Sequence, residues 1–317
     1  MHIPANIRSI GANAFAQCNS LTELTFEAGS GLTQIGANAF AASALKEIGL
    51  PASLVMIGSG AFADNYALSS VAFGTDSTLQ VIGEEAFRNA YSLAQISLPE
   101  NLMSIGSYAF INSGLTSIEL PASLAGLGAG AFASCGELEQ IAVADGNEYY
   151  KDIDGVVYNT GATEIVAYPA VKDLTSYTVE STVTVIGEAA FYGAGTLAEI
   201  ILPEGLETVG AYGFYGCTGI LTYELPETLV YIEDYAFAQN ASLTGVAIPD
   251  AVYQIGRYAF AYDYSLRNIA FTENSTLPRI GYAAFGYMGL YSFRVPASVS
   301  TIAQEAFIGC KDLTSIT

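Results

Sequence analysis

One short phrase recurs along the chain and leaves few folds open to it. It reads Ile10-Gly11-Ala12-Asn13-Ala14-Phe15 near the start and Ile280-Gly281-Tyr282-Ala283-Ala284-Phe285 near the end. Its phenylalanines are Phe15, Phe40, Phe62, Phe87, Phe110, Phe132, Phe191, Phe214, Phe237, Phe260, Phe285 and Phe307. Successive spacings are 25, 22, 25, 23, 22, 59, 23, 23, 23, 25 and 22 residues. A period of about 20–30 residues marks a solenoid, in which each unit buries its apolar face by stacking on the next. A length of 317 residues would otherwise suggest two domains. The repeat predicts instead a single solenoid over residues 1–317, with repeats at 1–143 and 177–317.

Within a unit, a second phrase precedes the Phe. Leu93, Ile96, Leu98, Pro99, Leu102, Ile105, Gly106, Ala109 and Phe110 mark one example. Ile96 and Leu98 alternate with Gln95 and Ser97, the period of a strand with one buried face. Eight of the ten prolines follow this strand, where a residue without an N–H should turn a corner. Leu102 to Ile105 reads as a second, shorter strand. The Ser107-Tyr108-Ala109-Phe110 stretch predicts one turn of α- or 3₁₀-helix. Gly stands before this stretch in ten of twelve units, with Glu233 and Ala303 as exceptions. A Glu at that point argues against an obligatory positive φ, so the glycine is expected to serve close packing between layers. The residue before the Phe is Ala in eleven units and Gly213 in the other, which again suits close approach.

The gap between Phe132 and Phe191 holds an insertion at about 144–176. Asp145 to Gly155 is polar and turn-rich. Val156 to Tyr158 and Glu164 to Tyr168 then read as strands of a β-hairpin around Asn159 to Ala162. The repeat resumes at Tyr177 in phase. The chain begins and stops within a repeat, without the polar caps a solenoid needs, so it is expected to be an excerpt of a longer protein.

These residues resemble the BspA-like leucine-rich repeats of bacterial surface proteins. The resemblance covers nearly the whole chain, and Asp152 to Tyr158 with Ala167 to Ala170 match a segment often interleaved with those repeats. It implies an α/β-type repeat solenoid: a curved leucine-rich array with a parallel concave β-sheet, short helical turns on the convex side and an inserted β-hairpin. It also implies extracellular display and adhesion or host-protein binding. The general leucine-rich consensus places Asn or Cys three residues after the last strand Leu. Only Asn101 fits here, beside Ser53, Ser123, Gly205, Thr228, Ala251 and Ser298, so no continuous Asn ladder is expected.

The chemistry of the chain is sparse. Its net charge of −21 repels phosphate backbones and anionic lipid, which argues against nucleic-acid and membrane faces. The only histidine is His2, so nucleophile–imidazole arrangements within the fold are excluded. Cys18, Cys135, Cys217 and Cys310 each stand three residues after a repeat Phe, where other units carry Ser43, Asn65, Ala90, Ser113 or Ala194. They read as buried small residues and not as a metal or redox set. The carboxylate pairs Glu84/Glu85, Glu233/Asp234 and Asp152/Asp154 read as solvated surface. No metal site, no cofactor and no catalytic residue is expected.

The outward strand positions, among them Ser97, Glu119, Glu224 and Arg294, form a small polar face nearly free of aromatics. Tyrosine is distributed unevenly: Tyr66, Tyr91 and Tyr108 precede residue 140 and the other 18 of 21 follow it. Tyr212, Tyr235 and Tyr258 recur two residues before the Phe in consecutive units and should stack in a row. Tyr149 and Tyr150 lie in the insertion, and Arg257, Arg267, Arg279 and Arg294 fall in the same half. Tyr and Arg are common interface anchors. Tyr149, Tyr150, Tyr212, Tyr235, Tyr258, Arg267 and Arg294 are therefore the candidate partner-binding residues, and Tyr shielding of neighbouring coils is the structural alternative.

The expected function is a non-catalytic, extracellular or cell-surface module, a monomer that binds a host matrix or cell-surface protein. Glycan binding or processing, and a passive spacer, are the alternatives. Because the cysteines share one repeat position in separate layers, all four should be free thiols. Thiol titration under denaturing conditions without reductant is expected to count four, and a count of two would refute this register.

Overall fold

Each layer is built from three backbone segments that pair along the stack with their counterparts, the long strand only within separate sheets of two to four strands. The computed structural model describes residues 1–172 and 175–317. It comprises two units, Met1–Thr160 and Gly161–Thr317. Residues 173 and 174 of the expected insertion lie outside the described residues.

The first segment is the expected long strand. Glu47–Leu50 pairs in parallel with Ser70–Phe73, in the register Glu47↔Ser70 to Leu50↔Phe73. Its residues alternate exposed and buried, with Ile48 and Leu50 inward. A proline ends it and accepts the corner bond: the N–H of Leu54 donates to Pro51 O at 3.1 Å, and Pro4, Pro99, Pro121, Pro203, Pro226, Pro249 and Pro296 do the same. Hydroxyls fill the place of the missing Asn ladder. Ser53 Oγ donates to Ser30 O and Leu32 O, and Ser123 Oγ to Leu102 O. Residues 95–98 depart from expectation. The alternation persists, with Ile96 buried and Ser97 exposed, but the segment joins no ladder. Strand pairing needs a spacing of about 4.8 Å, and here clefts of about 670 and 630 Å³ flank the segment on its two sides.

The second segment is the short strand. Six such strands, from Ser9–Ile10 to Gly126–Leu127, form a continuous parallel ladder in the first unit. Seven, from Glu164–Ala167 to Thr301–Ile302, follow one another in the second.

The third segment overturns the expected helical turns, since the described residues contain no helix. It is a run of linked β-turns. In one layer Ala109, Ile111 and Ser113 donate N–H bonds to Gly106, Tyr108 and Phe110, three residues back. The intervening Tyr108, Phe110 and Asn112 donate along the stack, to Ala129, Ala131 and Ala133 at 3.0, 2.8 and 3.0 Å. Tyr108 and Asn112 both have φ of 57°, the left-handed conformation that a type II turn requires at its third residue. A continuous right-handed helix would have kept every N–H inside the segment. Alternating hand turns every second N–H toward the neighbouring layer.

The same arrangement holds throughout. The residues two before and two after the repeat Phe have positive φ in all twelve layers. Three interlayer bonds join each neighbouring pair of runs within each unit. The Gly that precedes the run needs no positive φ. A Cβ on Gly36 would lie 2.7 Å from Ala12 N and 2.8 Å from Gly11 C in the layer before, which confirms packing as its reason. Glu233, at that same repeat position, folds its carboxylate onto Ala211 N–H at 3.1 Å.

Phenylalanines stack inside this run. Phe15, Phe40, Phe62, Phe87, Phe110 and Phe132 follow one another at centroid distances of 5.2–5.7 Å. In the second unit Tyr168 takes the Phe place. Its ring lies 4.6 Å from Phe191 and its N–H donates to Ala190 O as a repeat Phe would. The sequence pattern does not show this layer, because a Tyr replaces the marker residue. In the insertion, Tyr150–Ile153, expected as a turn-rich segment, is a strand antiparallel to Val156–Asn159. Asp154 and Gly155 close it with φ of 50° and 77°, the two positive values of a type I′ hairpin turn. Glu164–Ala167 pairs in parallel with Val185–Ile186.

The position three residues after the Phe points into the core and seals carbonyls. Asn240 Nδ2 donates to Phe214 O and Phe237 O. Cys135 Sγ donates to Phe110 O at 3.1 Å and Cys217 Sγ to Phe191 O at 3.2 Å. Burial pushes these thiols up to about 11 and about 12. All four cysteines are free; Cys135 and Cys217 are buried, Cys310 is half-buried and Cys18 is exposed. Asp263 holds this position in its own layer, 0% exposed. Its Oδ1 accepts Asn240 N–H at 2.7 Å, and its Oδ2 has no partner. Burial holds this carboxyl well above the usual carboxylate range, against the lowering effect of the Asn240 bond.

Two outcomes follow. Phe237→Ala empties a fully buried site between two rings and should cost about 3–5 kcal/mol in denaturant unfolding; a cost under about 1 kcal/mol would show the ring is not core. Asp263 has a raised folded pKa, so its stability contribution is full below the unfolded value of about 3.9 and is lost as pH rises through the folded value. Asp263→Asn copies the residue used at Asn65 and Asn240. Its melting temperature should match the parent near pH 4 and exceed it increasingly toward neutral pH, and a pH-independent difference would refute the assignment.

Candidate functional site

The turn run fixes where its side chains go, and the left-handed residues flank the buried Phe on the outer surface. Left-handed backbone disfavours L-residues other than Gly, Asn and Asp by about 1–2 kcal/mol. The first unit largely respects this two residues before the Phe, with Asn13, Asn38, Gly60, Glu85, Tyr108 and Gly130. The second carries Ala189, Tyr212, Tyr235, Tyr258, Ala283 and Glu305, and adds Tyr262 and Tyr287 two residues after the Phe. Five tyrosines of the second unit thus sit where the fold demands the backbone they least favour.

Their rings assemble. Tyr212 stacks on Tyr235 at 4.8 Å and 4°, and Tyr235 on Tyr258 at 4.9 Å and 16°. Tyr282 meets Tyr258 edge-on at 5.4 Å and donates its hydroxyl to Glu305. Tyr192 and Tyr215 stack at 4.6 Å and join the row at Tyr212; Tyr262 and Tyr287 stack at 4.8 Å beside it. The Arg257 guanidinium lies over the Tyr282 ring, 5.4 Å from its centre. Burial raises the hydroxyls of Tyr212, Tyr235 and Tyr262, and takes Tyr215 up to about 12 with help from Tyr192. These hydroxyls remain neutral donors at physiological pH. Because the parallel rings cover one another's faces, the row shows solvent mainly edges and hydroxyls.

The same columns in the first unit are wired differently. Arg88 donates to Asp64 at 2.8 Å and to Glu85 at 2.5 Å, and Asn89 and Asn112 extend the chain of bonds. Burial opposes the Asp64 charge, but bonds from Arg88 and Asn89 hold its carboxyl below the usual range.

Tyr212, Tyr235 and Tyr258 are therefore brought together as the spacing indicates. The other candidate residues lie elsewhere. Tyr149 is exposed in the first unit. Tyr150 uses its hydroxyl to accept the N–H of Leu127, at the end of the short-strand ladder. Arg267 packs its guanidinium 4.9 Å from the Tyr291 ring centre and donates to Gly289 O. Arg294 stands 3.7 Å from Glu273 at the long-strand side. Sequence reasoning missed Tyr192, Tyr215, Tyr262, Tyr282 and Tyr287. Their signal was positional, at offsets from the Phe that mean nothing until the turn run is known to face outward. Among the described residues no His, Cys, Asp or Glu group is arranged to hold a metal ion, and no helix is long and apolar enough to cross a membrane.

Stacked parallel coils with this Leu, Ile and Phe pattern define a leucine-rich repeat solenoid. The BspA-type leucine-rich repeat region matches residues 1–78, 72–178, 165–278 and 278–317, in six copies, and the chain belongs to that family. Among solved structures, the pneumococcal vaccine antigen PcpA is 25% identical, over 100% of this chain and 73% of its own, with a TM-score of 0.73. A leucine-rich cell surface protein from Faecalibacterium prausnitzii is 23% identical, over 99% and 77%, with a TM-score of 0.69. A leucine-rich repeat protein from Eubacterium ventriosum is 22% identical, over 93% and 72%, with a TM-score of 0.68. At these identities the last two speak to fold alone. No curated protein matches the chain.

The stacked row makes a direct prediction. Tyr235→Ala removes a ring from between two others, each pair contributing about 0.5–1.5 kcal/mol. Tyr235→Asn removes the same ring but suits the left-handed backbone. Urea unfolding should place the Asn variant above the Ala variant; the reverse order would mean that backbone preference is not a term here.

Proposed function

We propose that this chain is a non-catalytic, surface-displayed repeat module that binds a protein partner through the tyrosine row of its second unit. One observation carries the reading: five tyrosines stand at left-handed positions in the second unit against one, Tyr108, in the first. The fold's backbone needs are met equally well by Asn in the first unit, so the rings serve something the backbone does not require. Rigid phenols present area and neutral hydrogen-bond donors at low entropic cost. Display outside a bacterial cell is supported by family membership and by the likeness to a vaccine antigen.

A polysaccharide platform is the less favoured reading, because sugars stack on free ring faces and this row covers its own. The net charge of −21 favours a partner with a basic patch, whose association slows with salt. Immobilised host matrix and cell-surface proteins provide the test. Tyr212, Tyr235 and Tyr258 changed together to Ser should weaken capture by at least about tenfold, since anchors concentrate binding energy. Ser97, Glu119 and Glu224 changed together to Lys should leave it unchanged. The opposite pattern would place the site on the strand face, and capture of nothing would favour a spacer.

A further inference from the structure

Beside the tyrosine row lies a cleft of about 470 Å³ lined by Tyr253, Gln254, Arg257, Arg279 and Tyr282, with Asp234 at its rim. Its charge runs against the rest of the molecule. The chain has ten basic residues against 31 acidic ones, yet two of the ten meet here. Arg88, Arg267 and Arg294 are ion-paired, whereas Arg257 and Arg279 have no carboxylate partner among the described residues. Asp234, the one acid lining the cleft, has its Oδ1 on the Arg257 backbone N–H at 2.7 Å. Tyr253 is 58% exposed and, unlike the tyrosines of the row, stacks on no other ring among the described residues. Gln254 adds an exposed amide, one layer from Arg279.

We propose that this cleft binds an acidic sugar, a pyranose ring bearing one carboxylate. A guanidinium meets a carboxylate through two parallel N–H bonds, and two arginines without a carboxylate partner, Arg257 lying over the Tyr282 ring, supply more than one such fork. The free Tyr253 face offers the flat apolar surface that the C–H side of a pyranose covers. Gln254 and the rim of Asp234 supply an acceptor and donor for ring hydroxyls. A polyanion does not fit, because charge of −21 around so local a basic spot repels a chain of anions more than a single one. This site borders the tyrosine row, with Tyr282 packed against Tyr258 and Arg257 over Tyr282, but its sugar titration reads independently of the proposed protein partner.

The test uses the full chain with glucuronate and with N-acetylneuraminate, titrated by NMR, against glucose and acetate. Saturable binding of one or both acids is expected, and which one binds identifies a uronic-acid or a sialic-acid source. Arg257→Gln and Arg279→Gln should each weaken it by at least about tenfold, as loss of a charge-assisted bond does. Arg279→Lys, which keeps the charge but loses the fork, should fall between. Tyr253→Ala should weaken the sugars and leave acetate unaffected, and Arg294→Gln should change nothing. Glucose should bind at least tenfold more weakly than the acids. The proposal is overturned if neither acid saturates the protein, if acetate binds as tightly as the sugars, or if Arg294→Gln matches the cleft variants. All five side chains are exposed or half-buried, and circular dichroism with Arg279→Lys separates lost binding from lost fold.

Discussion

The interlayer bond from every second residue of the turn run is the interaction on which the rest depends. It requires left-handed backbone two residues before and two after each repeat Phe, and it is made three times at each step between successive Phe layers of a unit. That alternation excludes a helix, places the Phe inward and sends its second neighbours outward. The Phe stack then sets a ring spacing near 5 Å. The long strands are the more yielding side. Their sheet is interrupted at residues 95–98, while the turn ladder crosses the same layers unbroken.

A backbone that satisfies itself along the stack leaves the core with one recurring problem, the Phe carbonyl. In most layers the residue three positions on answers it with thiol, hydroxyl or amide, while Ala90, Ala194 and Met288 leave it to the backbone and neighbouring layers. Cys, Ser and Asn all serve there because each donates from a small side chain, Asn240 to two Phe carbonyls at once. Asp263 is the member of the series that donates only when protonated. Cys135, Cys217 and Cys310 thus owe their placement to hydrogen bonding and size.

Much of this was legible in the chain. The Phe spacing gave the layers, the prolines gave the corners, and Glu233 and Ala303 showed that the repeated Gly answers packing and not φ. The row of Tyr212, Tyr235 and Tyr258 followed from equal offsets in consecutive units. The turn run was misread because its left-handed positions mix Asn and Gly with Ala, Tyr, Gln and Glu, which carry no such preference. The demand comes from hydrogen bonds to another layer, which a local reading cannot see. Residues 95–98 failed for the complementary reason: alternation reports which face is buried, not whether a neighbour comes close enough to pair. Tyr168 was hidden because it fills the Phe place with a different ring, and the strand Tyr150–Ile153 because its sequence is polar and none of its residues is fully buried. Tyr262, Tyr282 and Tyr287 became neighbours of the row only once the outward columns were known.

The left-handed positions have a consequence for how such a surface changes over time. Any side chain placed there meets the same backbone and the same unfavourable φ, whatever its neighbours. The outer face is therefore a grid whose rows are copied with each 22- to 25-residue unit and whose cells are filled independently. Duplicating a layer lengthens a pattern by one row without moving the others. A polar pattern such as Asp64–Arg88–Asn89 and an aromatic one such as Tyr212–Tyr235–Tyr258 can then be written in different stretches of a single chain, on one unchanged backbone.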